Sequence, residues 1–318
     1  MISLSELSAK LKNEKSVAII SHIRPDGDTL GSAFALSLAL KTLGISAVVT
    51  CDDTLPSRFL FLNEVKELKN TLDGEYSAII AIDCAEPTRL GGFYEAFSKH
   101  KNTYSIDHHI SNTRFAKTNY VFDNASNCEN VYQLICQMNV PISKEIANFL
   151  LLGIVTDTGC FKHKNVTANT LEVSSKLLEF GGDLNKIYYQ MFVKQSKERA
   201  LLFGKTMSKI RYFFDDRLAV ATVRLNDLSQ TGAKPNETEG FIDFVMGVDS
   251  VEVGVCIMEI EENKYKISFR SKSADVNAVA STFGGGGHIL ASGCQISGEY
   301  EEVVDRIAFA VSRELPEL

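Results

Sequence analysis

Several things that would assign this chain to common classes are missing. No apolar run reaches the ~18 residues a membrane span needs, so no membrane partner is expected. Met1-Ile-Ser-Leu-Ser-Glu6 has neither a basic stretch nor a small-residue cleavage site, which argues against a secretory leader. No Cys-x-x-Cys pair occurs. The seven cysteines are odd in number and scattered, the pattern of free thiols in a reducing cytoplasm. Basic residues are not in excess: the formal net charge is −7, which argues against coating long duplex nucleic acid. A local phosphate site stays open, because metal ions can supply its positive charge. There is no internal repeat and no low-complexity tract.

What is present is ordinary globular composition, 45% apolar and 23% charged. Its 318 residues favour two domains, since single cores rarely grow past ~250–300 residues. Ser3-Leu-Ser-Glu6 has capping-box spacing and opens a first helix. Ser16-Val-Ala-Ile-Ile-Ser-His22, Ala47-Val-Val-Thr-Cys51, Ser77-Ala-Ile-Ile-Ala-Ile-Asp83 and Thr103-Tyr-Ser-Ile-Asp107 read as buried strands. A helix from about Thr29 to Leu43 ends at Gly44, and others are expected at 126–138, 143–156, 167–180 and 184–193. Apolar strands separated by helices predict a parallel α/β sheet covered on both faces, over residues 1–190. Residues 191–212, rich in Lys, Arg, Leu and Met, predict a helical linker. Strand-like runs at 218–224, 251–257 and 265–270, with a closing helix at 303–315, predict a smaller α/β domain over 213–318.

Three early strands run into metal-capable side chains: His22 with Asp26 and Asp28, then Asp83, then Asp107-His108-His109. Asp157 follows in Gly153-Ile-Val-Thr-Asp-Thr-Gly159. Loops at the carboxyl ends of parallel strands share one edge, so these residues are expected to converge. Carboxylates with imidazole and no thiolate suit Mn²⁺ or Mg²⁺. Two such cations, roughly 3.5–4 Å apart and bridged by a carboxylate, would activate water for attack on phosphorus. Taken singly each residue has a plainer reading: Asp26-Gly-Asp28 as a capped loop, Asp83 as a turn former, His108-His109 as a structural pair. Their joint placement favours the site. His100 and His163 lack this context and read as surface residues.

The four motifs, His22-x-x-x-Asp26-x-Asp28, Asp83, Asp107-His108-His109 with Asn112, and Asp157, resemble the DHH phosphoesterase superfamily. Phe269-Arg-Ser271 and Gly284-Gly-Gly-Gly-His288-Ile-Leu-Ala-Ser-Gly293 resemble its partner domain, DHHA1. A chain of this length without extra domains looks most like the nanoRNase and 3′-phosphoadenosine 5′-phosphate phosphatase group. The resemblance implies release of 5′ mononucleotides from short RNA and dephosphorylation of the adenosine bisphosphate. It implies one Mn²⁺ on His22, Asp26 and Asp83, and another on Asp28, Asp83, His108 and Asp157, with Asp83 bridging. His109 would contact the scissile phosphate and protonate the leaving oxygen, and Asp107 would orient an imidazole.

The glycine run Gly284, Gly285, Gly286, Gly287 can turn tightly and offer backbone N–H groups to an anion, with Arg270, Ser271 and His288 completing a phosphate grip. One domain would then cut while the other grips, which would select short substrates. Ile289 and Ser292 depart from the usual Pro and Ala after the glycines, and Asn127-Cys128 from the usual small hydroxyl residues. The alternative enzyme is a phosphodiesterase for linear or cyclic dinucleotides, and the alternative of another class is a catalytically silent nucleotide sensor. The oligomeric state is open, a homodimer included.

Overall fold

The computed structural model describes residues 2–315. The chain divides into two compact units, Met1–Lys194 and Gln195–Leu318.

The first unit carries five strands, β1 (Ser16–Ser21), β2 (Ser46–Thr50), β3 (Ala78–Ile82), β4 (Thr103–Asp107) and β5 (Thr118–Val121). All pairings are parallel, in the order β2-β1-β3-β4-β5. Its helices are α1 (Leu4–Lys12), α2 (Gly27–Thr42), α3 (Tyr94–Lys99), α4 (Asn127–Gln137), α5 (Lys144–Asp157), α6 (Ala168–Glu179) and α7 (Leu184–Tyr188). Strand side chains alternate between two cores. Val17, Ile19, Ile80 and Ile82 pack beneath α2, α4 and α5, while Ala18, Ile20, Ile79 and Ala81 meet Leu90 and Phe97 on the other face. The first helix has the expected capping box, with Glu6 N–H donating to Ser3 Oγ at 3.2 Å. After Tyr188 the expected helix widens into a single π turn, Tyr189–Val193.

The second unit contains α8 (Lys197–Met207), β6 (Arg211–Phe213), β7 (Leu218–Val223), α9 (Leu225–Thr231), α10 (Phe241–Met246), β8 (Val253–Glu261), β9 (Lys264–Ser271), α11 (Val276–Ser281), β10 (Gly286–His288), β11 (Ala291–Ser297) and α12 (Tyr300–Ser312). Its sheet runs β10-β11-β9-β8-β7-β6, with β7 and β8 parallel and the other pairs antiparallel. One face packs on α11 and α12 through Val255, Ile267, Val279 and Ile307. The stretch expected as a linker is largely α8, whose Leu202 is buried against Val223 and Phe241 of this unit. Among the described residues no helix is long and apolar enough to cross a membrane, and all seven cysteines are free.

Candidate active site

In the first unit the strand order reverses direction between β1 and β3, the switch point where ligands bind in open parallel sheets. His22 follows β1, and Asp83 follows β3 with φ of 54°, a left-handed conformation uncommon for a non-glycine residue. Asp26 caps the start of α2 and Asp28 lies in its first turn. Asp107 ends β4 with His108 and His109 just beyond, and Asp157 is the last residue of α5. Elements distant in sequence thus deliver their polar ends to one place.

Three groups of side chains meet, with the ligand atoms of each within 4.8 Å of one another. Asp83, His108 and His109 form one; the other two are His22, Asp26 and Asp83, and Asp28, His108 and Asp157. Asp83 faces both of the latter: Oδ2 lies 3.7 Å from His22 Nε2, and Oδ1 lies 3.5 Å from His108 Nε2. His108 Nε2 is also 3.5 Å from Asp157 Oδ2 and 3.7 Å from Asp28 Oδ2. His109 Nδ1 comes within 3.7 Å of Asp83 but is hydrogen-bonded to Asp107 Oδ1 at 2.7 Å, so we keep it out of the ligand set.

Neighbouring groups fix these orientations. Asp26 Oδ1 accepts the N–H groups of Asp28 and Thr29, both at 3.1 Å, leaving Oδ2 toward His22. His108 Nδ1 donates to Asn124 O at 2.9 Å, which leaves its Nε2 lone pair toward the carboxylates. His22 Nδ1 lies 2.9 Å from Ile23 O, the acceptor available for its ring proton. Asp107, fully buried, also accepts from Asn112 Nδ2 at 2.6 Å. Close packing matters as much: a Cβ on Gly153 of α5 would lie 2.5 Å from Asp28 Oδ1 and 2.3 Å from Cys128 Sγ. Only glycine lets α5 approach α2 and α4 closely enough there.

Crowding four carboxylates is unfavourable without a counter-charge. Burial, then the charges of Asp28, Asp26, Asp157 and Asp107, push Asp83 well above the ordinary carboxylate range. Burial and the charges of Asp28 and Asp26 push Asp157 up to about 9. Asp83 Oδ1 is buried with no hydrogen-bond partner, a costly arrangement for an acceptor unless something else meets it. An unmatched acceptor, two carboxylate and imidazole groups and no thiolate together fit divalent cations. For Asp107, burial alone would raise the pKa, but hydrogen bonds from His109 and Asn112 outweigh it and hold the carboxyl low. The same bond raises the pKa of His109, whose side chain is 42% exposed.

In the second unit Arg270, Ala291 and His288 form one row across β9, β11 and β10. Directly opposed residues share a face, so Arg270 and His288, both exposed, stand two strand spacings of ~4.8 Å apart. Three of the four glycine amides, however, are engaged. Gly284 N–H bonds Ser281 O at 3.1 Å, Gly285 N–H bonds Ala280 O at 2.9 Å, and Gly287 N–H bonds Asn277 Oδ1 at 2.9 Å. The expected anion nest is therefore corrected: Gly285, Gly286 and Gly287 build a hairpin. Gly287 has φ of 154° and a Cβ there would lie 2.5 Å from Ala291 O. Ser271 is also engaged, its N–H bonding Leu290 O at 3.1 Å and its hydroxyl donating to Ala274 O.

Sequence reading missed Arg89. It lies beyond β3, with Nη2 2.9 Å from His22 Nδ1, and lines a cavity of about 390 Å³ with Asp83, Glu86, His109, Ser111 and Thr113. Its only signal was position, six residues past a strand-end acid. Asn127 and Cys128, whose substrate contacts were in question, are fully buried and support Asp28 instead. His100 is half-buried, accepting Asn102 N–H at Nδ1 and donating from Nε2 to Tyr76 O, so it braces the fold. His163 is exposed.

Comparison with known proteins agrees with this architecture. The DHH family N-terminal domain matches residues 16–154, and the DHHA1 domain matches residues 215–315. A Thermus thermophilus protein named bifunctional oligoribonuclease and PAP phosphatase NrnA is 31% identical, covering 95% of this chain and 91% of its own. A Bacillus subtilis protein of the same name is 24% identical over 92% of this chain and 93% of its own. The crystal structure of an exopolyphosphatase-related protein from Bacteroides fragilis aligns with a TM-score of 0.84 and 25% identity, covering 98% of this chain and 95% of that one. The ligand cluster at the switch point and the two-domain match over most of the length give one conclusion: the chain belongs to the DHH–DHHA1 family of phosphoesterases, enzymes that depend on divalent metal.

Proposed function

We propose that this protein hydrolyses short oligoribonucleotides to 5′ mononucleotides, and dephosphorylates 3′-phosphoadenosine 5′-phosphate, using a pair of Mn²⁺ ions. The carrying observation is the buried, unpartnered Asp83 Oδ1 between two groups of Asp and His ligands. The names of the full-length relatives support the substrate class. His22, Asp26 and Asp83 would hold one ion, and Asp28, Asp83, His108 and Asp157 the other, with one Asp83 oxygen facing each group. Bound divalent ions there would supply an activated water and neutralise charge on the phosphate.

The protein's own groups do the rest. His109 is held by Asp107 through Nδ1 and is half exposed. Its raised pKa keeps a proton available, and Nε2 donates that proton to the leaving ribose oxygen. Arg89 places a fixed positive charge beside His22 and the cavity that His109 lines. In the second unit Arg270 and His288 take a phosphate of the substrate by side chain alone, Arg270 through its planar fork. A reducing cytoplasm suits seven free thiols.

The test is a chain-length series of 5′-phosphorylated RNA and DNA oligomers, run beside the adenosine bisphosphate and a cyclic dinucleotide. Dimers to tetramers of RNA and the bisphosphate should be turned over with Mn²⁺ and not after chelation. Turnover by verified metal-free protein, or a preference for long strands or the cyclic dinucleotide, would overturn the assignment.

A further inference from the structure

Asp28 is fully buried, and the first turn of α4 encloses its carboxylate. Ser126 Oγ donates to Oδ1 at 2.7 Å, and Cys128 N–H donates to the same oxygen at 3.0 Å. Asn127 N–H donates to Oδ2 at 2.6 Å. Each carboxylate oxygen has about two lone-pair directions. Oδ1 is therefore filled, while Oδ2 keeps one direction open and lies 3.7 Å from His108 Nε2. Of the two Asp28 oxygens, Oδ2 is thus the one that faces the Asp28, His108 and Asp157 group.

Of the three donors, two are backbone amides, which a side-chain substitution other than proline leaves in place. Ser126 is the side chain among them, and its hydroxyl orientation is itself fixed. It accepts the same Cys128 N–H at 3.0 Å, a donor shared with Asp28 Oδ1, while its own proton goes to Asp28. The helix turn that carries these donors is anchored in turn. Buried Glu129 accepts from Thr170 Oγ1 at 2.9 Å and Asn169 Nδ2 at 2.7 Å, tying α4 to α6. Gly153 also packs close to Asp28, with no room for a Cβ beside Oδ1. Asp26 has no such control: its side chain is 48% exposed, and its anchoring donors are the amides of Asp28 and Thr29.

We propose that Ser126 is a positioning residue that holds Asp28 to single-oxygen coordination, and so tunes the Asp28–His108–Asp157 cation position independently of the His22–Asp26 position. The proposal rests on the cation reading of the cluster. Metal-free wild type, Ser126→Ala, Ser126→Thr and Ser126→Cys are titrated with Mn²⁺ alone by calorimetry, and their turnover of the bisphosphate is followed. Wild type should bind two ions. Ser126→Ala should leave one affinity unchanged and weaken the other by about tenfold or more. Its kcat should fall by a similar factor at constant KM. Ser126→Thr should restore both, and Ser126→Cys, a weaker donor that keeps the volume, should fall between and serves should the alanine variant not fold. Equal weakening at both positions, unchanged affinity, or a threonine variant as defective as alanine would overturn it. A wild type that binds no Mn²⁺ would instead remove the proposed function, a distinguishable failure.

Discussion

Asp28 and Asp83 in the first unit are 0% and 3% exposed, whereas Arg270 and His288 in the second stand in solvent on an open row of the sheet. The difference extends to their partners. Asp28 accepts three hydrogen bonds, and Asp107 accepts from His109 and Asn112. Arg270, by contrast, bonds the carbonyl of its own neighbour Phe269 at 3.0 Å. Groups fixed on every side set the geometry of a reaction and cost little reorganisation when it occurs. Exposed groups with spare donors bind a ligand's charge and adjust to its shape. Changes in the first unit should therefore appear in kcat, and changes in the second in KM.

The comparison can be broken at several points. Asp83→Ala removes the oxygens that face both ligand groups, and kcat should fall on the order of 10³-fold or more, beyond the roughly 10–100-fold typical of an outer-shell partner. A variant that keeps activity within tenfold would end the bridging role. Gly153→Ala drives a methyl group against Asp28 Oδ1, and should lower kcat by about 10–100-fold while costing only ~1–3 kcal/mol of stability. Equal kcat with a lower melting temperature would mean the contact is packing alone. Arg270→Ala should raise KM about tenfold for nucleotides and leave kcat nearly constant; the reverse pattern would move Arg270 into the chemistry.

The smallest effect concerns protons. Asp157, pushed up to about 9, keeps its proton at pH 7 in metal-free protein, and Asp83 holds its own proton to a higher pH than an ordinary carboxylate. Cation binding should release them, and calorimetry in buffers of different ionisation enthalpy reads their number. Without metal, the folded state binds these protons more tightly than the unfolded chain. Stability should then decline as pH rises from about 4 toward about 9, as melting temperatures in chelator can check.

The strands of the first unit could be read from sequence because their residues are apolar on both faces, as in Ala78–Ile82, and the acids at their ends followed. What escaped notice was short or polar. Thr118–Val121 has four residues with one buried, and Arg211–Phe213 has three with none. Gly286–His288 is fully exposed and carries no β-branched residue, so its pairing with Ala291–Ser297 left no periodic trace. The glycine run drew attention for its free amides, yet three of them are used by Ser281, Ala280 and Asn277, a matter only tertiary placement decides. Ser126 likewise reads as a helix cap in sequence, and its second bond, to Asp28, becomes visible only when α2 and α4 pack together.

The position of Asp157 at the end of α5 has a consequence for how the protein is made. A nascent chain that has emerged as far as Thr118–Val121 holds every strand of the parallel sheet, along with His22, Asp26, Asp83 and His108. It still lacks the α4 turn that steadies Asp28 and the last acid of the cluster. The group His22, Asp26 and Asp83 is thus synthesised in full before Asp157 joins Asp28 and His108, so a chain must extend through α5 before both groups proposed to hold cations exist.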